Sequence, residues 1–280
     1  MLQLPIFGAV IEAAGTAIEK HILKNKKLSS GLYTTLSFLS IVVAMLPLVY
    51  FLWSAKSGAF TGIDLVLIIT IVVFSTAANL CTYYALKGEK IIDFEPIWLM
   101  QPLFTILLAS AVFGTGNIYV FALSLLASVA LILGHIRKKH ITFNRYAIAL
   151  LLGNVFYAVE LVASGPVLNY LSPFTLYFIR CSSVLVILLA IYRPKVKNGI
   201  GAKNGALIFI VGIMWVIYRM ILYSGYQTYG IIFTTTMFIL APVFLLIMAK
   251  AFLREKMSLR QVISIIVILA SVAGAVYIGG

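Results

Sequence analysis

Apolar runs of about twenty residues, separated by little more than turns, follow one another along the whole of this sequence. They lie near 4–23, 31–53, 64–86, 93–113, 117–136, 146–168, 173–192, 205–224, 231–252 and 259–278. A helix crossing the hydrocarbon core of a bilayer takes ~20 such residues, so the pattern predicts ten transmembrane helices. Almost nothing is left for a water-soluble domain. Composition agrees: 62% of the 280 residues are apolar, 10% are charged, and the mean hydropathy is +1.09. A soluble domain is about 45–50% apolar and about 25% charged. A soluble enzyme, a secreted scaffold and a nucleic-acid-binding module are therefore excluded, and an all-α multi-pass protein of the cell membrane is expected.

Short turns punctuate the runs at Ser29-Ser30-Gly31, Gly58 to Gly62, Gly114-Thr115-Gly116, Ser172-Pro173, Arg193-Pro194 and Tyr229-Gly230. Cys81 and Cys181 sit inside apolar runs and read as small core residues, with no disulfide or zinc spacing. No cleavable signal is expected, since Met1 to Pro5 lacks a basic region and the first apolar run carries Glu12 and Glu19.

The net charge of +13 acquires meaning from its placement. The odd-numbered loops hold 18 of the 21 Lys and Arg residues, the even loops and both termini hold only Lys56, and Arg180 and Arg219 fall inside helices. Basic loops stay in the cytoplasm. Both termini are accordingly expected outside.

An internal repeat emerges when Pro102 is laid on Pro242. In that register Tyr83 meets Tyr223, Phe104 meets Phe244, Ala109 meets Ala249, Ser124 meets Ser264 and Gly134 meets Gly274. Earlier in each half, Leu28-Ser29-Ser30 faces Leu171-Ser172-Pro173 at a slightly larger offset. Two units follow, 1–140 and 141–280, each of five helices. An odd number of crossings inverts the second copy, the arrangement of many secondary transporters with a site near the midplane between the halves.

The stretch from Tyr83-Tyr84-Ala85-Leu86 to Pro102-Leu103-Phe104 resembles the end of an EamA repeat of the drug/metabolite transporter superfamily. The second copy is clearer: Ala241-Pro242-Val243-Phe244, then Leu253-Arg254-Glu255-Lys256-Met257-Ser258-Leu259-Arg260-Gln261, then a helix with Gly274. Thr115 stands where the first unit's turn glutamate would be, which argues against a shared transport role for Glu255. The resemblance implies a ten-helix transporter. Family members often keep their termini in the cytoplasm, the reverse of what these loops predict. The first helix, Gly8-Ala9 and then Glu12-Ala13-Ala14-Gly15-Thr16-Ala17-Ile18-Glu19-Lys20, is also similar to helix one of the small multidrug-resistance transporters. That resemblance implies a proton and cation site at Glu12.

A charge near the bilayer centre costs at least ~2.5–3.5 kcal/mol and needs a partner, an aqueous cavity or a function. In the ten-helix topology Glu12, Glu160, Arg180 and Arg219 share one layer, roughly 8–12 Å below the outer boundary at 1.5 Å rise per residue. Glu160 and Arg180 also suit a structural pair. Glu19, near the inner boundary beside Lys20, reads as a solvated helix end or as a neighbour of that charge rather than as a site. Asn79, Gln101, Asn154, Tyr83, Trp98, Tyr157, Trp215 and Tyr218 are candidate pocket residues, with Tyr177 and Tyr223 beside them. Aromatic walls and a carboxylate suit an organic cation; an interfacial aromatic belt is the competing reading for most tyrosines. Pro102 and Pro242, expected within helices, are hinges or tolerated bends.

These features predict a secondary active transporter of a small amino-acid-like or cationic metabolite, coupled to protons through alternating access. Alternatives are efflux of quaternary ammonium drugs and a structural or assembly subunit. No H-E-x-x-H and no G-x-x-x-x-G-K-[ST] occurs, so neither an enzyme nor ATP-driven transport is expected. The expected partners are a small-molecule substrate and the lipid bilayer, without nucleic acid, metal or cofactor, in a monomer or homodimer.

Overall fold

The computed structural model describes residues 3–23, 28–88, 97–135, 144–193, 201–244 and 258–279. Most basic residues of the odd loops, and the turn containing Glu255, lie outside the described residues. The described chain is helical: α1 (Gln3–Leu23), α2 (Ser30–Met45), α3 (Gly62–Gly88), α4 (Gln101–Phe113), α5 (Ile118–His135), α6 (Arg145–Val167), α7 (Pro173–Tyr192), α8 (Ala202–Tyr229), α9 (Ile231–Phe238) and α10 (Leu259–Gly279). A 3-10 turn at Leu46–Leu48, opened by Pro47, carries α2 on into Val49–Leu52.

Six helical segments are long and apolar enough to span a membrane: Ser30–Leu52, Gly62–Leu86, Arg145–Val167, Pro173–Tyr192, Lys203–Tyr229 and Leu259–Ile278. This is a multi-pass membrane protein. α1 is not among the six, because Glu12 and Glu19 interrupt its apolar character, and α4, α5 and α9 belong to shorter apolar helices. On α3 the large side chains of Val66, Ile69 and Val73 are each more than half exposed. Such an outward face is stable only against hydrocarbon.

Local chemistry sets the helix ends. Ser29 and Ser172 are N-caps of α2 and α7 with nearly the same extended backbone, and each accepts a hydrogen bond at 3.1 Å from the amide three residues on. Such caps satisfy one of the orphan amides of a first turn. Asn144 caps α6 through Tyr146 and Ala147. Gly114 and Gly230 follow α4 and α8 at φ 81°, where a side chain would be strained.

Prolines account for two breaks. Pro102 was expected inside a helix, but it stands in the first turn of α4, after a turn at Leu99 and Met100. Pro242 follows a turn at Ile239 that ends α9. A proline cannot donate to, and its ring collides with, the carbonyl four residues back. Those carbonyls belong to Trp98 and Phe238, and the helices break directly after them.

The principal helix pairs are α3 with α6, α5 with α10, α1 with α8, α2 with α8, α4 with α6 and α2 with α7. α6 approaches α3 closely at Gly153, where an added Cβ would sit 3.0 Å from Thr82 Oγ1. The loop after α2 is clamped to the α6–α7 turn: Lys56 N donates to Tyr170 O, Lys56 Nζ to Asn169 O, and Ser172 N to Ser54 O. These two loops therefore share one end of the molecule.

Candidate functional site

Polar side chains converge on a cavity of about 160 Å³ between α1, α2, α3, α6, α7 and α8. Its walls also take in both helix breaks, through Trp98, Leu99 and Gln101 on one side and Ala241 and Pro242 on the other. Glu12, Thr16 and Glu19 project into it from a single face of α1.

One pole is a buried charge cluster. Glu160, with no solvent exposure, lies between two guanidinium groups. Arg180 places Nε 3.0 Å from Oε1 and Nη2 3.4 Å from Oε2; Arg219 Nη1 is 3.4 Å from Oε1, and the Tyr223 hydroxyl donates to that oxygen at 3.1 Å. Arg180 also lies over the Tyr177 ring at 5.6 Å, and Arg219 over Tyr223 at 5.6 Å and Tyr218 at 5.9 Å. Ring faces favour the cations. One carboxylate between two guanidinium groups leaves this pole one positive charge in excess. Glu12 stands across from it, within reach of the field of Arg219 and beside Tyr218.

At the other pole Glu19 is 8% exposed, and Tyr33 and Tyr83 donate to its Oε1 at 2.9 and 2.6 Å. This corrects the reading of Glu19 as a solvated helix end. A charge count along the sequence gives depth and not partners, and both phenols come from other helices. The spacing of seven from Glu12 was the available signal, since it puts both carboxyl groups on one helical face.

Between the poles, Tyr157 donates to Asn79 Oδ1 at 2.8 Å, and Asn79 Nδ2 donates to Ser75 O at 2.7 Å. Trp98 meets Tyr157 edge to face at 5.9 Å, and Trp215 meets Tyr218 at 5.4 Å. Gln101 reaches the wall while its amide donates to Thr105.

The structure thus brings Glu12, Asn79, Tyr83, Trp98, Gln101, Tyr157, Arg180, Trp215, Tyr218, Arg219 and Pro242 to one cavity. Four expected residues lie off its wall, among them Tyr223, which is buried with its hydroxyl on Glu160. Glu160 sits behind Arg180 and acts through the two arginines. Asn154 is fully buried, and its Nδ2 donates to the Ile97 carbonyl at 2.5 Å, in the helical turn just before the Pro102 break. An amide inside a span need not face the cavity, since freed backbone carbonyls compete for it. Pro102 itself is also absent from the wall. Thr16, within the stretch of α1 that carried the second resemblance, also lines the cavity, as do Ser37, Phe38 and Thr82, which nothing in their sequence context marked. The aromatic belt accounts for Tyr50, Tyr119 and Tyr277, strongly exposed at helix ends, but not for Tyr33, Tyr177 and Tyr223, which are buried.

Among the described residues, no three His, Cys, Asp or Glu side chains converge as metal ligands would. What the arrangement offers is recognition: carboxylates, guanidinium groups and ring faces around one small space.

Comparison with known proteins agrees with this picture. No curated protein matches the sequence. A protein solved by crystallography superposes on 99% of this chain and 97% of its own, with a TM-score of 0.71 at 16% identity, which shows a common fold. The sequence model of the EamA-like transporter family matches residues 144–277. That match makes residues 144–277 similar to the EamA-like transporter family, part of the drug/metabolite transporter superfamily.

Proposed function

We propose that this protein is a secondary active transporter with ten crossings, built from inverted five-helix units 1–140 and 141–280 that rock about the central cavity. The helix contacts support the two units. Exchanging α1–α5 with α6–α10 turns the α1–α8 pair into α6–α3 and the α2–α8 pair into α7–α3, both of which occur, while α2–α7 and α5–α10 map onto themselves. Equivalent caps at Ser29 and Ser172, and equivalent breaks before Pro102 and Pro242, point the same way. Two broken helices facing one another across a site let units move without sliding whole spans.

The observation that carries the function is the cavity's polarity: Glu12 and Glu19 on α1 face Arg180 and Arg219 across aromatic walls. A small amino-acid-like zwitterion fits both signs, and an organic cation fits the acidic side. Glu12 is the coupling group. A carboxyl that holds either a proton or a substrate's positive charge exchanges one for the other, which ties their movements together without ATP.

The test is a substrate panel of amino acids, primary amines and quaternary ammonium ions in proteoliposomes with an imposed pH gradient. Gradient-driven flux that a protonophore collapses is expected for an amino acid or amine. Flux confined to quaternary ammonium ions would move the assignment to drug efflux, and no flux above protein-free vesicles would overturn transport.

A further inference from the structure

The charge cluster leaves one guanidinium group half used. Arg180 brings Nε and Nη2 to Glu160, whose Oε1 also accepts the Tyr223 hydroxyl, so both carboxylate oxygens are occupied. Arg219 reaches Glu160 through Nη1 alone, at 3.4 Å, and makes no other ion pair among the described residues. A guanidinium group carries five N–H donors. Those on Nε and Nη2 of Arg219 have no hydrogen-bond acceptor among the described residues, although the side chain is only 10% exposed and lines the cavity.

A buried donor edge with surplus positive charge calls for an anion. Glu160 does not supply it, because it is fully buried, off the wall and shared with Arg180. Glu12 acts on Arg219 only through its field across the cavity, and its own neighbour is Tyr218. The parallel N–H groups of a guanidinium fork match the two oxygens of a carboxylate. Trp215, Tyr218 and Arg219 follow one another at i, i+3 and i+4 on α8 and all line the cavity, so one helical face presents the free donors beside two rings.

We infer that Arg219, assisted by the charge of Arg180, is a carboxylate station in the cavity. A small carboxylate binds there even when it has no amine, with its apolar body against Trp215 and Tyr218. The inference rests on the cavity being the substrate site, and it widens the class of ligands from zwitterions and cations to simple carboxylate anions.

Calorimetric titration of the full chain in lipid nanodiscs tests it, with three probes that share one ring: benzoate, benzamide and benzylammonium. Benzoate is expected to bind at least about tenfold more tightly than benzamide, the scale of one charge-assisted contact. Arg219→Gln should remove that preference and leave benzamide unchanged; it strands no charge, since Glu160 keeps Arg180 and Tyr223. Arg219→Lys keeps the charge without the fork and should retain part of the preference, and it carries the test if Arg219→Gln does not fold. Glu12→Gln removes a negative charge facing the station, so benzoate should bind at least as tightly as to the wild type, which general damage to the cavity would not produce. Equal binding of benzoate and benzamide to the wild type, an unchanged preference in both Arg219 variants, or loss of benzoate binding in Glu12→Gln would each overturn the inference. Benzylammonium binding without benzoate binding would remove the carboxylate station and leave the cavity standing as the substrate site. Binding of none of the three would also remove the station, and flux in proteoliposomes then decides the cavity's role separately.

Discussion

Tyr83 and Tyr223, 140 residues apart, make the same kind of contact: each donates its hydroxyl to a buried glutamate on another helix. Tyr83 of α3 holds Glu19 of α1, and Tyr223 of α8 holds Glu160 of α6. The environments then diverge, since Glu160 carries two arginines and Glu19 a second tyrosine. Like contacts in unlike surroundings give the cavity two chemically different ends.

That inequality separates the glutamates in their consequences. Glu160→Gln strands two guanidinium groups in a buried site, and breaking such a cluster costs about 3–5 kcal/mol. The expected outcome is a large fall in the thermal unfolding midpoint, read by tryptophan fluorescence in detergent. A midpoint within a degree or two of wild type would show that the arginines find other counter-ions.

Glu12→Gln should behave in the opposite way. Glu12 faces the cavity beside Tyr218 and in the field of Arg219, while Glu160 still holds both arginines when Glu12 is neutral, so folding is expected to hold while proton-driven flux and its pH dependence disappear. Counterflow measured from pH 6 to pH 8 would show it. Flux with its pH dependence intact would shift the coupling role to another carboxylate.

Asn154 is a structural residue and should score as one. Asn154→Leu removes the side-chain donor of the Ile97 carbonyl, which keeps the Met100 amide, a loss of about 0.5–1.5 kcal/mol. Stability should drop with substrate affinity unchanged. A reverse pattern would return Asn154 to the site.

The two prolines should govern rate rather than affinity. Pro102→Ala and Pro242→Ala permit helix to run through Leu99 and Ile239, stiffening the elements that line the cavity. Transport in proteoliposomes is expected to slow several-fold while equilibrium binding holds. Equal losses in both measurements would count against a hinge.

Orientation is open to chemistry at the clamped loops. A cysteine at Ser57 and another at Asn169 should both react with an impermeant thiol reagent from outside, and one at Lys197, outside the described residues, should not. Ser57 and Asn169 labelling from opposite sides would contradict the hydrogen bonds joining their loops.

Hydropathy made six spans legible, and cap chemistry made several of their ends so: Ser29, Asn144 and Ser172 act through their own side chains on the next turn, which is local information. The charged layer was legible as a cost that needed partners. Partners were less so. Glu19 was misread because its phenols sit 14 and 64 residues away, and Asn154 because a side-chain amide has no period that reveals which way it turns. The Pro102 break was half legible: proline announces a fault, but only tertiary packing shows that a new helix begins there.

The two carboxyl groups of α1 also bear on how the chain enters its membrane. Both draw partners from other helices: Glu19 takes phenols from α2 and α3, while Glu12 faces Tyr218 and Arg219 of α8, some two hundred residues downstream. Each carries a partitioning penalty of a few kcal/mol until those helices pack. α1 therefore settles fully only once α8 has been made and packed against it.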